Sequence, residues 1–587
     1  MCGIYGYIGN KTNAAKITLN GLKKLEYRGY DSWGIAVWNG KHIVIEKHVG
    51  KIGEALISLP KSHIAIGHTR WATHGGVSEK NAHPFFDCQR KIALLHNGII
   101  ENYQDLKQEL ISTGHVFSSD TDSEVAVHLI EEELKGTTFK NAVCKAFRRL
   151  EGLNAIVVLN GPGNQIIAAK NGSPIVVGIG TKENFIGSDA LAFIEKTRNV
   201  IFLNDGEMIV LSDKNTRLIN VKTGITKKQK REHLKWKIEE IEKGDFTHFM
   251  LKEIYEQPKV IRNIAENFTN QVIDLSDEIK KAFGTYFIGC GTAFHACLFA
   301  QYLFARIAKT HVNATVGSEF SYLMDFLTPK SLIIALSQSG ETADIIESVG
   351  KAINKKSHVV GLVNTLGSTL YRMVHERILL GAGSENAVAS TKAFTAKLSV
   401  LTLLAYAVTG RIKKGKQILI NAEGEIEKIL KKENIAKIKK ITEKISSAQN
   451  IFIIGRGQSY PIALEAALKI KEISYIHAEG FAAGELKHGV IALVEKGTPC
   501  IIFAPNDETY GGVISGAMEM KARGGYIIGI SFKKNEVFND YVHIRDCWEG
   551  SSIAGIVVAQ LIAYYLAVFK KLDPDKPRNL AKSVTVK

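Results

Sequence analysis

The second half of the chain repeats one pattern of hydrophobic and polar positions. An apolar run from Tyr286 ends in Gly289-Cys290-Gly291, another from Ile451 ends in Gly455-Arg456-Gly457, and a helical stretch follows each. Further apolar runs of strand length lie at 332–336, 359–363, 500–503 and 526–530. Strands that alternate with helices predict two α/β domains, each built on a doubly wound parallel sheet. Ligands of such sheets bind where a strand ends and a helix begins.

One of these turns is rich in hydroxyl groups. The segment Ser337-Gln338-Ser339-Gly340-Glu341-Thr342 follows a buried strand and precedes a helix that is predicted from about Ala343. Backbone N–H groups at a helix start, surrounded by hydroxyls, can hold a phosphate. A simple helix cap accounts for one or two of these residues, and the glycine spacing is not that of a P-loop. Thr292, Val388 and Ser390 are candidates for further walls of the same pocket.

The first part of the chain is different, because its short apolar runs are broken by glycines and by charged residues. Cys2 becomes the first residue if the initiating Met is removed, and its α-amine could then serve as a base for its thiol. Asn97 and the Gly98 N–H could stabilise an oxyanion, although Asn-Gly is also a common hairpin turn. Arg70 and Asp122 suit the α-carboxylate and the α-ammonium of an amino-acid substrate. An ordinary cysteine at a frayed terminus is the alternative for Cys2.

Together these motifs resemble the class II, N-terminal nucleophile glutamine amidotransferases. The resemblance implies that Cys2 attacks the glutamine amide, that Asn97 and Gly98 hold the oxyanion, and that Arg70 and Asp122 grip the substrate. It also implies an ammonia gate at Trp71. Further residues at positions that shape and close the glutamine site are Arg28, Thr73, His74 and His83. The chain departs from the family at Trp33, where a small residue is usual.

Two charged residues stand out on the helix that follows the second glycine turn. Lys469 and Glu472 are three positions apart and therefore share one helix face. A surface ion pair is the alternative explanation of that spacing. The glycine-bounded stretch 485–489, which contains His488, follows soon after, and the chain ends in Arg-Asn-Leu-Ala-Lys-Ser-Val-Thr-Val-Lys with Lys582.

The repeat resembles the sugar isomerase (SIS) domain in tandem, and the chain as a whole resembles the glucosamine-6-phosphate synthase family. The resemblance implies that ammonia from glutamine is channelled to fructose 6-phosphate. Lys582 would form an imine with the sugar, His488 would assist ring opening, and Glu472, with Lys469 nearby, would move a proton between C1 and C2. The residues implied to bind the sugar phosphate are Thr292, Ser337, Gln338, Ser339, Thr342, Val388 and Ser390. We expect a homodimer that needs no cofactor.

These motifs predict an α/β multidomain chain, with an N-terminal nucleophile domain followed by two doubly wound SIS domains. The expected boundaries are 2–220 for the amidotransferase domain, 221–246 for a charged linker or hinge, 278–412 and 445–573 for the SIS domains, and 574–587 for a catalytic tail. Three positions depart from the SIS part of the family: Ala293, Val490 and Lys587. None of these removes a residue that is assigned to bond making.

Composition bears on the class of protein and on its location in the cell. Hydrophobic residues make up 45% and charged residues 23% of the chain, as in ordinary soluble proteins. No basic segment followed by an apolar stretch opens the chain, so we expect a cytoplasmic protein without a signal peptide. The apolar run 553–569 approaches the length of a membrane span, but Gln560 and Tyr564 within it favour a buried helix.

The cysteines and the net charge exclude little by themselves. Seven cysteines without a Cys-x-x-Cys motif predict a reducing compartment and neither a disulfide framework nor a metal site. The net charge of +16 is compatible with nucleic-acid binding, but the lysines are not interleaved with aromatic residues. A basic surface that attracts anionic substrates is the preferred explanation.

Two other functions fit part of the chain. A class II amidotransferase that forms a phosphoribosylamine would need a pyrophosphate-binding loop and not SIS domains. A sugar-phosphate sensor built on SIS domains would usually carry a DNA-binding helix-turn-helix motif and not a glutaminase. The sequence therefore favours the amidotransferase that acts on fructose 6-phosphate, with no nucleic-acid and no membrane partner.

Overall fold

The protein is described by a computed structural model that covers residues 2–212, 215–234 and 243–585. Within these ranges the chain forms two compact units. The first contains 2–234 and the tail segment 581–585, and the second contains 243–580. The predicted linker lies partly in the first unit, where 226–227 and 232–233 pair as short edge strands, while 235–242 lie outside the described residues.

The first unit is built from antiparallel strands and a few helices. Its strands are β1 (Gly3–Gly9), β2 (Ser32–Trp38), β3 (Ile43–Val49), β4 (Ile64–Arg70), β5 (Phe85–Phe86), β6 (Ile92–Gly98), β7 (Asn154–Asn160), β8 (Gln165–Asn171), β9 (Val176–Ile179), β10 (Glu183–Gly187), β11 (Asn199–Phe202), β12 (Glu207–Leu211), β13 (Thr216–Asn220), β14 (Thr226–Lys227) and β15 (Glu232–His233). Its helices are α1 (Ala14–Leu25), α2 (Tyr103–Ser112), α3 (Glu124–Glu133) and α4 (Phe139–Arg149).

These strands form two sheets packed face to face. One sheet has the order β15-β11-β9-β10-β1-β4-β2-β3, and the other β14-β13-β12-β8-β7-β6-β5. Apolar residues of both sheets, such as Ile4 and Leu95, fill the space between them. A second core lies between helices α2 to α4 and the face of the second sheet that points away from the first sheet. Helix α1 packs on β1 and β4 of the first sheet. Because both sheets are covered on each side, most strands are apolar on both faces and do not alternate.

The second unit contains the predicted parallel strands and most of the helices. Its strands are β16 (Thr285–Gly289), β17 (Asn313–Val316), β18 (Leu332–Ser337), β19 (His358–Val363), β20 (Glu376–Leu379), β21 (Asn450–Gly455), β22 (His477–Ala482), β23 (Pro499–Ala504), β24 (Tyr526–Ser531) and β25 (Asp540–His543). Its helices are α5 (Phe249–Tyr255), α6 (Gln257–Asn267), α7 (Thr269–Lys281), α8 (Thr292–Leu303), α9 (Gly317–Phe320), α10 (Ala343–Asn354), α11 (Thr369–Met373), α12 (Lys392–Val408), α13 (Ile412–Ile429), α14 (Lys432–Lys444), α15 (Ser459–Ser474), α16 (Tyr510–Ala522) and α17 (Gly550–Phe569).

The two parallel sheets of this unit have the same topology. Their orders are β17-β16-β18-β19-β20 and β22-β21-β23-β24-β25, and every pairing in them is parallel. In each sheet the strand order reverses beside the first strand, which is where doubly wound sheets bind ligands. The predicted multidomain α/β fold with two doubly wound domains is confirmed.

Helix α17 is the apolar run that approaches the length of a membrane span. It passes a test of length and hydropathy for a span, but 83% of its most apolar window is buried inside the unit. It packs against α13, α14 and α15. Its one amide side chain, Gln560, is fully buried and accepts a hydrogen bond of 2.8 Å from Gln257 Nε2. The helix therefore forms part of the core of the second unit.

We predict that Gln560→Leu destabilises the second unit by about 1–3 kcal/mol. Leucine has a similar size but leaves the buried Gln257 amide without this acceptor, and an unsatisfied buried polar group carries that cost. The measurement is the urea midpoint of unfolding. Gln417→Leu is the matched control, because Gln417 is an exposed glutamine on α13. Equal midpoints for the two variants would contradict the prediction.

Candidate active sites

The position of Cys2 is set by the pairing of β1 with β4. Gly3 lies opposite Thr69, so Cys2, just before β1, is beside Arg70 and Trp71 at the end of β4. The Trp71 backbone N–H donates a hydrogen bond to Cys2 Sγ, with 3.2 Å between nitrogen and sulfur. The pocket shields the thiol from water and raises its pKa, while the Trp71 N–H and the Arg70 guanidinium act in the opposite direction. The thiol therefore lies beside two groups that stabilise a thiolate.

Asn97 and Gly98 reach the same place from the other sheet, at the end of β6. Asn97 Nδ2 donates to the Cys2 carbonyl at 3.1 Å, and the side-chain Oδ1 of Asn97 lies 3.0 Å from His68 Nε2. Gly98 has φ +133°, and a Cβ there would lie 2.0 Å from the Leu153 carbonyl oxygen. The position therefore needs glycine, and the amide of Asn97 is held in a fixed orientation.

Arg70 and Asp122 lie on the wall of the pocket as a cation and an anion. The Arg70 guanidinium donates to the carbonyls of His74, Gly75 and Gly76. Burial lowers its pKa, although nearby acidic groups counteract part of that effect. Asp122 Oδ2 accepts the Ile100 N–H at 2.8 Å. Both side chains are nearly fully buried, so each is fixed before a ligand binds.

Two buried histidines, His83 in the pocket wall and His68 behind it, are held uncharged. The rings of His68 and His83 are 4.2 Å apart. Burial lowers the His68 pKa to about 3 and the His83 pKa well below its ordinary value. Neither ring nitrogen of His83 has a hydrogen-bond partner among the described residues. His83 therefore presents a neutral imidazole to the pocket.

The pocket brings together most of the residues predicted for glutamine. It has a volume of about 450 Å³, part of which is open to solvent. Its predicted members are Cys2, Arg70, Trp71, Thr73, His74, His83, Asn97, Gly98 and Asp122. Sequence reasoning missed His96, Thr121, Ser123 and Thr585, which also line it. Thr121 and Ser123 could have been found from their position beside Asp122, whereas nothing in the tail sequence points to this pocket.

Arg28 does not line this pocket. Its guanidinium forms a buried ion pair with Asp189 at 3.0 Å, and the Tyr27 hydroxyl donates to the same carboxylate at 2.8 Å. The Trp33 departure is also accommodated away from the pocket, because the indole is buried and stacks on His48 with ring centroids 4.5 Å apart.

In the second unit, the hydroxyl-rich turn lies at the switch point of the first parallel sheet. Ser337 ends β18, next to β16, and its hydroxyl accepts the Gly340 N–H at 2.9 Å. Ser339 accepts the Glu341 N–H at 3.2 Å, and Thr342 precedes α10. Gly340 has φ +66°, and a Cβ there would lie 2.1 Å from Ser368 Oγ. The turn is a tight loop that leads into a helix start, as phosphate binding requires.

A charged cluster connects the two repeats of this unit. Lys469 Nζ lies 2.6 Å from Glu472 Oε2 and 3.4 Å from Glu465 Oε1, all three on α15. Thr292 and His295, on α8, contact Glu465 at 3.0 and 2.7 Å. Burial by itself would lower the Lys469 pKa, but the two carboxylates outweigh it and raise the pKa. Burial would likewise raise the Glu465 pKa, yet Lys469 and His295 lower it.

Sequence reasoning missed Glu465, which the structure shows to be fully buried. The signal was its spacing, four residues before Lys469 on the same helix face. Lys469 is almost fully buried and Glu472 is partly exposed, so their pair is not the solvated surface pair that was the alternative. Of the three charged side chains on α15, Glu472 is the one that is partly exposed.

The remaining predicted residues lie outside this cluster. His488 is exposed at the end of a short helix, Ala483–His488. Ser390 donates to Glu385, the Val388 N–H donates to the Asp575 carbonyl, and Ala293 packs in the core. Lys582 is partly exposed in the tail segment of the first unit.

The matches to known protein families fall separately in the first and in the second part of the chain. Two stretches, residues 278–407 and 444–570, match the SIS domain family. Residues 68–195 match the glutamine amidotransferase domain family.

Full-length relatives carry both parts. The glutamine–fructose-6-phosphate aminotransferase (isomerizing) of Pyrococcus horikoshii is 44% identical, and the enzyme of that name from Chlorobaculum tepidum is 41% identical; each alignment covers 100% of both chains. Among solved structures, the C-terminal domain of glucosamine-fructose-6-phosphate aminotransferase from Francisella tularensis matches with a TM-score of 0.54 and 32% identity. That match covers 57% of this chain and 99% of the other.

We predict that Lys469→Gln destabilises the second unit by about 3 kcal/mol at pH 7.5, because it leaves the buried Glu465 without its ammonium partner. In the wild type the Glu465 pKa is lowered and the Lys469 pKa is raised. The pair therefore stabilises the fold between about pH 4.3 and 10.4, the ordinary values of Glu and Lys. In the variant, burial favours protonated Glu465, so the deficit should shrink as the pH falls toward 5.

The measurement is the urea midpoint at pH 7.5 and at pH 5. Lys471→Gln is the matched control, since Lys471 is exposed on the same helix. A deficit in Lys469→Gln that is the same at both pH values would contradict the assignment of the cost to unpaired Glu465.

Proposed function

The chain belongs to the family of isomerising glutamine–fructose-6-phosphate aminotransferases, and we propose which of its residues carry out each step of the reaction. The enzyme converts glutamine and fructose 6-phosphate to glutamate and glucosamine 6-phosphate. The first unit hydrolyses glutamine, and the sugar chemistry uses residues of the second unit together with Lys582 of the tail segment. The observation that carries the assignment is the convergence of Cys2, Asn97, Gly98, Arg70 and Asp122 on one pocket.

Glutamine binds in that pocket with its α-carboxylate on Arg70 and its α-ammonium on Asp122. Cys2 Sγ forms a thioester with the side-chain carbonyl carbon as the carbon–nitrogen bond breaks and ammonia leaves. Asn97 Nδ2 and the Gly98 N–H stabilise the oxyanion of the tetrahedral intermediate. The Cys2 α-amine, free once Met1 is removed, takes up the thiol proton and passes it to the leaving ammonia. Water then hydrolyses the thioester to glutamate.

Five other residues shape this half-reaction. His74 and the neutral His83 close one side of the pocket, with Thr73 at its rim. The gate for the release of ammonia is assigned to Trp71, whose backbone N–H contacts the Cys2 sulfur. Arg28 acts indirectly, because its ion pair with Asp189 supports the residues that precede β2.

In the second unit, the Ser337–Thr342 turn binds the sugar phosphate. Its hydroxyls, the Gln338 amide and the N–H groups at the start of α10 provide the donors, while Val388 and Ser390 complete the wall. Glu472 moves the proton between C1 and C2 that converts the ketose to the aldose, and the adjacent Lys469 ammonium donates a hydrogen bond of 2.6 Å to its carboxylate. Thr292 contacts both Lys469 and Glu465 and orders this cluster.

Two residues act on the open form of the sugar. The Lys582 amine condenses with the C2 carbonyl to an imine and releases water, and ammonia later displaces the lysine. His488 transfers the proton that opens the sugar ring. Ammonia passes from the first unit to the second within the protein, and the active form is a homodimer. The protein acts on small molecules, without a nucleic-acid or membrane partner, in the cytoplasm.

We predict that purified protein given glutamine and fructose 6-phosphate forms glucosamine 6-phosphate and glutamate in equal amounts. Cys2→Ala should abolish glutamine hydrolysis, because the variant lacks the thiol that forms the thioester. The variant should still isomerise the sugar phosphate, since Glu472, which is proposed to transfer the C1–C2 proton, lies in the other unit and Lys582 is unchanged. Product formation by mass spectrometry is the measurement, and Cys144→Ala, a buried thiol of the same unit, is the control. Equal loss of both activities in a folded Cys2→Ala variant would refute the two-site proposal.

We predict that Lys582→Arg forms no borohydride-trappable adduct with fructose 6-phosphate. A guanidinium stays protonated and cannot form the imine. Peptide mapping after reduction should place the sugar on Lys582 in the wild type and on no lysine in the variant. Lys570→Arg, an exposed lysine at the end of α17, should trap as much sugar as the wild type. Undiminished trapping in Lys582→Arg would assign the imine to another lysine.

A further inference from the structure

A cluster of four metal-ligating side chains lies in the first unit, apart from the residues that line the glutamine pocket. Cys88 is in the turn between β5 and β6, His115 is in the loop after α2, and His128 and Glu131 are one turn apart on α3. Their ligand atoms all lie within 4.8 Å of one another. The mechanism proposed above uses none of them.

Four of the distances between these ligand atoms are close to those of a tetrahedral zinc site. Cys88 Sγ lies 3.7 Å from Nδ1 of His115 and 3.7 Å from Nδ1 of His128. Glu131 Oε2 lies 3.2 and 3.4 Å from the same two nitrogens. Zinc bonds of about 2.3 Å to sulfur and about 2.0–2.2 Å to nitrogen and oxygen separate tetrahedral ligands by roughly 3.3–3.6 Å. The four atoms are therefore close enough together to bind one zinc ion.

The surroundings of the histidines also fit metal binding. Each ring turns Nδ1 toward the centre and Nε2 toward a carboxylate: His115 Nε2 lies 2.9 Å from Glu132, and His128 Nε2 lies 3.8 Å from Glu124. At His115 the carboxylate is within hydrogen-bond distance of the outer ring nitrogen, which fixes the tautomer that leaves the inner nitrogen free to bind a metal. At His128 the carboxylate lies on the same side of the ring but beyond hydrogen-bond distance. His115 and His128 are buried, which holds both rings in place.

We propose that Cys88, His115, His128 and Glu131 form a structural zinc site. Thiolate, imidazole and carboxylate in tetrahedral geometry select Zn²⁺ over the harder cations. On binding, the Cys88 thiol releases its proton to solvent, the histidines bind as neutral rings, and the charges of Cys88 and Glu131 balance the ion. Cys88 is exposed, which gives the metal a path of entry.

The ion would join three segments that are far apart in the chain. The turn of Cys88 leads into β6, which ends in Asn97 and Gly98, and α3 begins directly after Asp122. A metal at this place therefore anchors the segments that deliver the oxyanion donors and the ammonium-binding carboxylate. Four protein ligands leave no open position, so the role is structural rather than catalytic.

The experiment uses the full-length protein without a polyhistidine tag. Protein stripped with a chelator is titrated with Co²⁺, and the expected result is one ion per chain with tetrahedral visible bands and a thiolate-to-cobalt charge-transfer band. Added Zn²⁺ should displace Co²⁺ and raise the thermal unfolding midpoint of the stripped protein. The protein as purified should hold about one zinc per chain by elemental analysis.

Two variants assign the ligands. Cys88→Ser should lose the charge-transfer band, and because Cys88 is exposed the substitution leaves no cavity. His128→Gln should weaken Co²⁺ binding by about 100-fold or more. Cys144→Ala and His42→Gln, a buried thiol and an exposed histidine of the same unit, should bind like the wild type. Stripped wild-type protein that takes up Co²⁺ without a charge-transfer band, or takes up none, would overturn the proposal and leave the cluster as hydrogen-bonded histidine–carboxylate pairs.

Discussion

The antiparallel pairing of β1 with β4 is the interaction on which the first site depends. It fixes Cys2 beside Arg70 and Trp71, and a shift by one residue would turn every side chain of β1 to the opposite face of its sheet. The pairing is close at its end, since a Cβ on Gly3 would lie 2.5 Å from Thr69 Oγ1. Asn97 then ties the second sheet to the same point through its hydrogen bond to the Cys2 carbonyl. The residues proposed as nucleophile and oxyanion donors are thus positioned by backbone pairing and by one hydrogen bond of the Asn97 side chain.

The second unit positions its chemistry through topology and through one buried ion cluster. The parallel register of β16 and β18 brings two glycine-containing turns to one edge of the sheet, and the hydroxyl-rich turn is one of them. The same edge faces α15 of the second repeat, where Glu465 accepts from Thr292 and pairs with Lys469. Breaking a buried pair costs more than forming it gains, so this cluster constrains how the two repeats pack. Residues of both repeats therefore contribute to this one charged cluster.

Sequence reasoning could predict those features that depend on local pattern. The apolar runs before glycine turns located β16, β18, β19, β21, β23 and β24, and helical spacing placed Lys469 and Glu472 on one face. It could have paired Glu465 with Lys469 by the same spacing, but it could not reveal the contacts of Glu465 with Thr292 and His295, which lie on a helix about 170 residues earlier. Nor could it show that Arg28 pairs with Asp189, which is 161 residues away. Such contacts depend on tertiary packing, which spacing along the chain does not encode.

The Cys88 cluster shows the same limit for metal sites. The absence of a Cys-x-x-Cys motif argued against zinc, but that motif reports only ligands that are neighbours in sequence. Here His128 and Glu131 alone are local, and Cys88 and His115 join them because the β5–β6 turn and the loop after α2 pack on α3. Glu124, which lies behind His128, also accepts N–H groups of Ser118 and Ser119 in the loop that carries Asp122. The order of that loop and the geometry of the four proposed ligands are therefore held by the same helix, and whatever fixes α3 in place also fixes Asp122, the carboxylate proposed to bind the substrate ammonium.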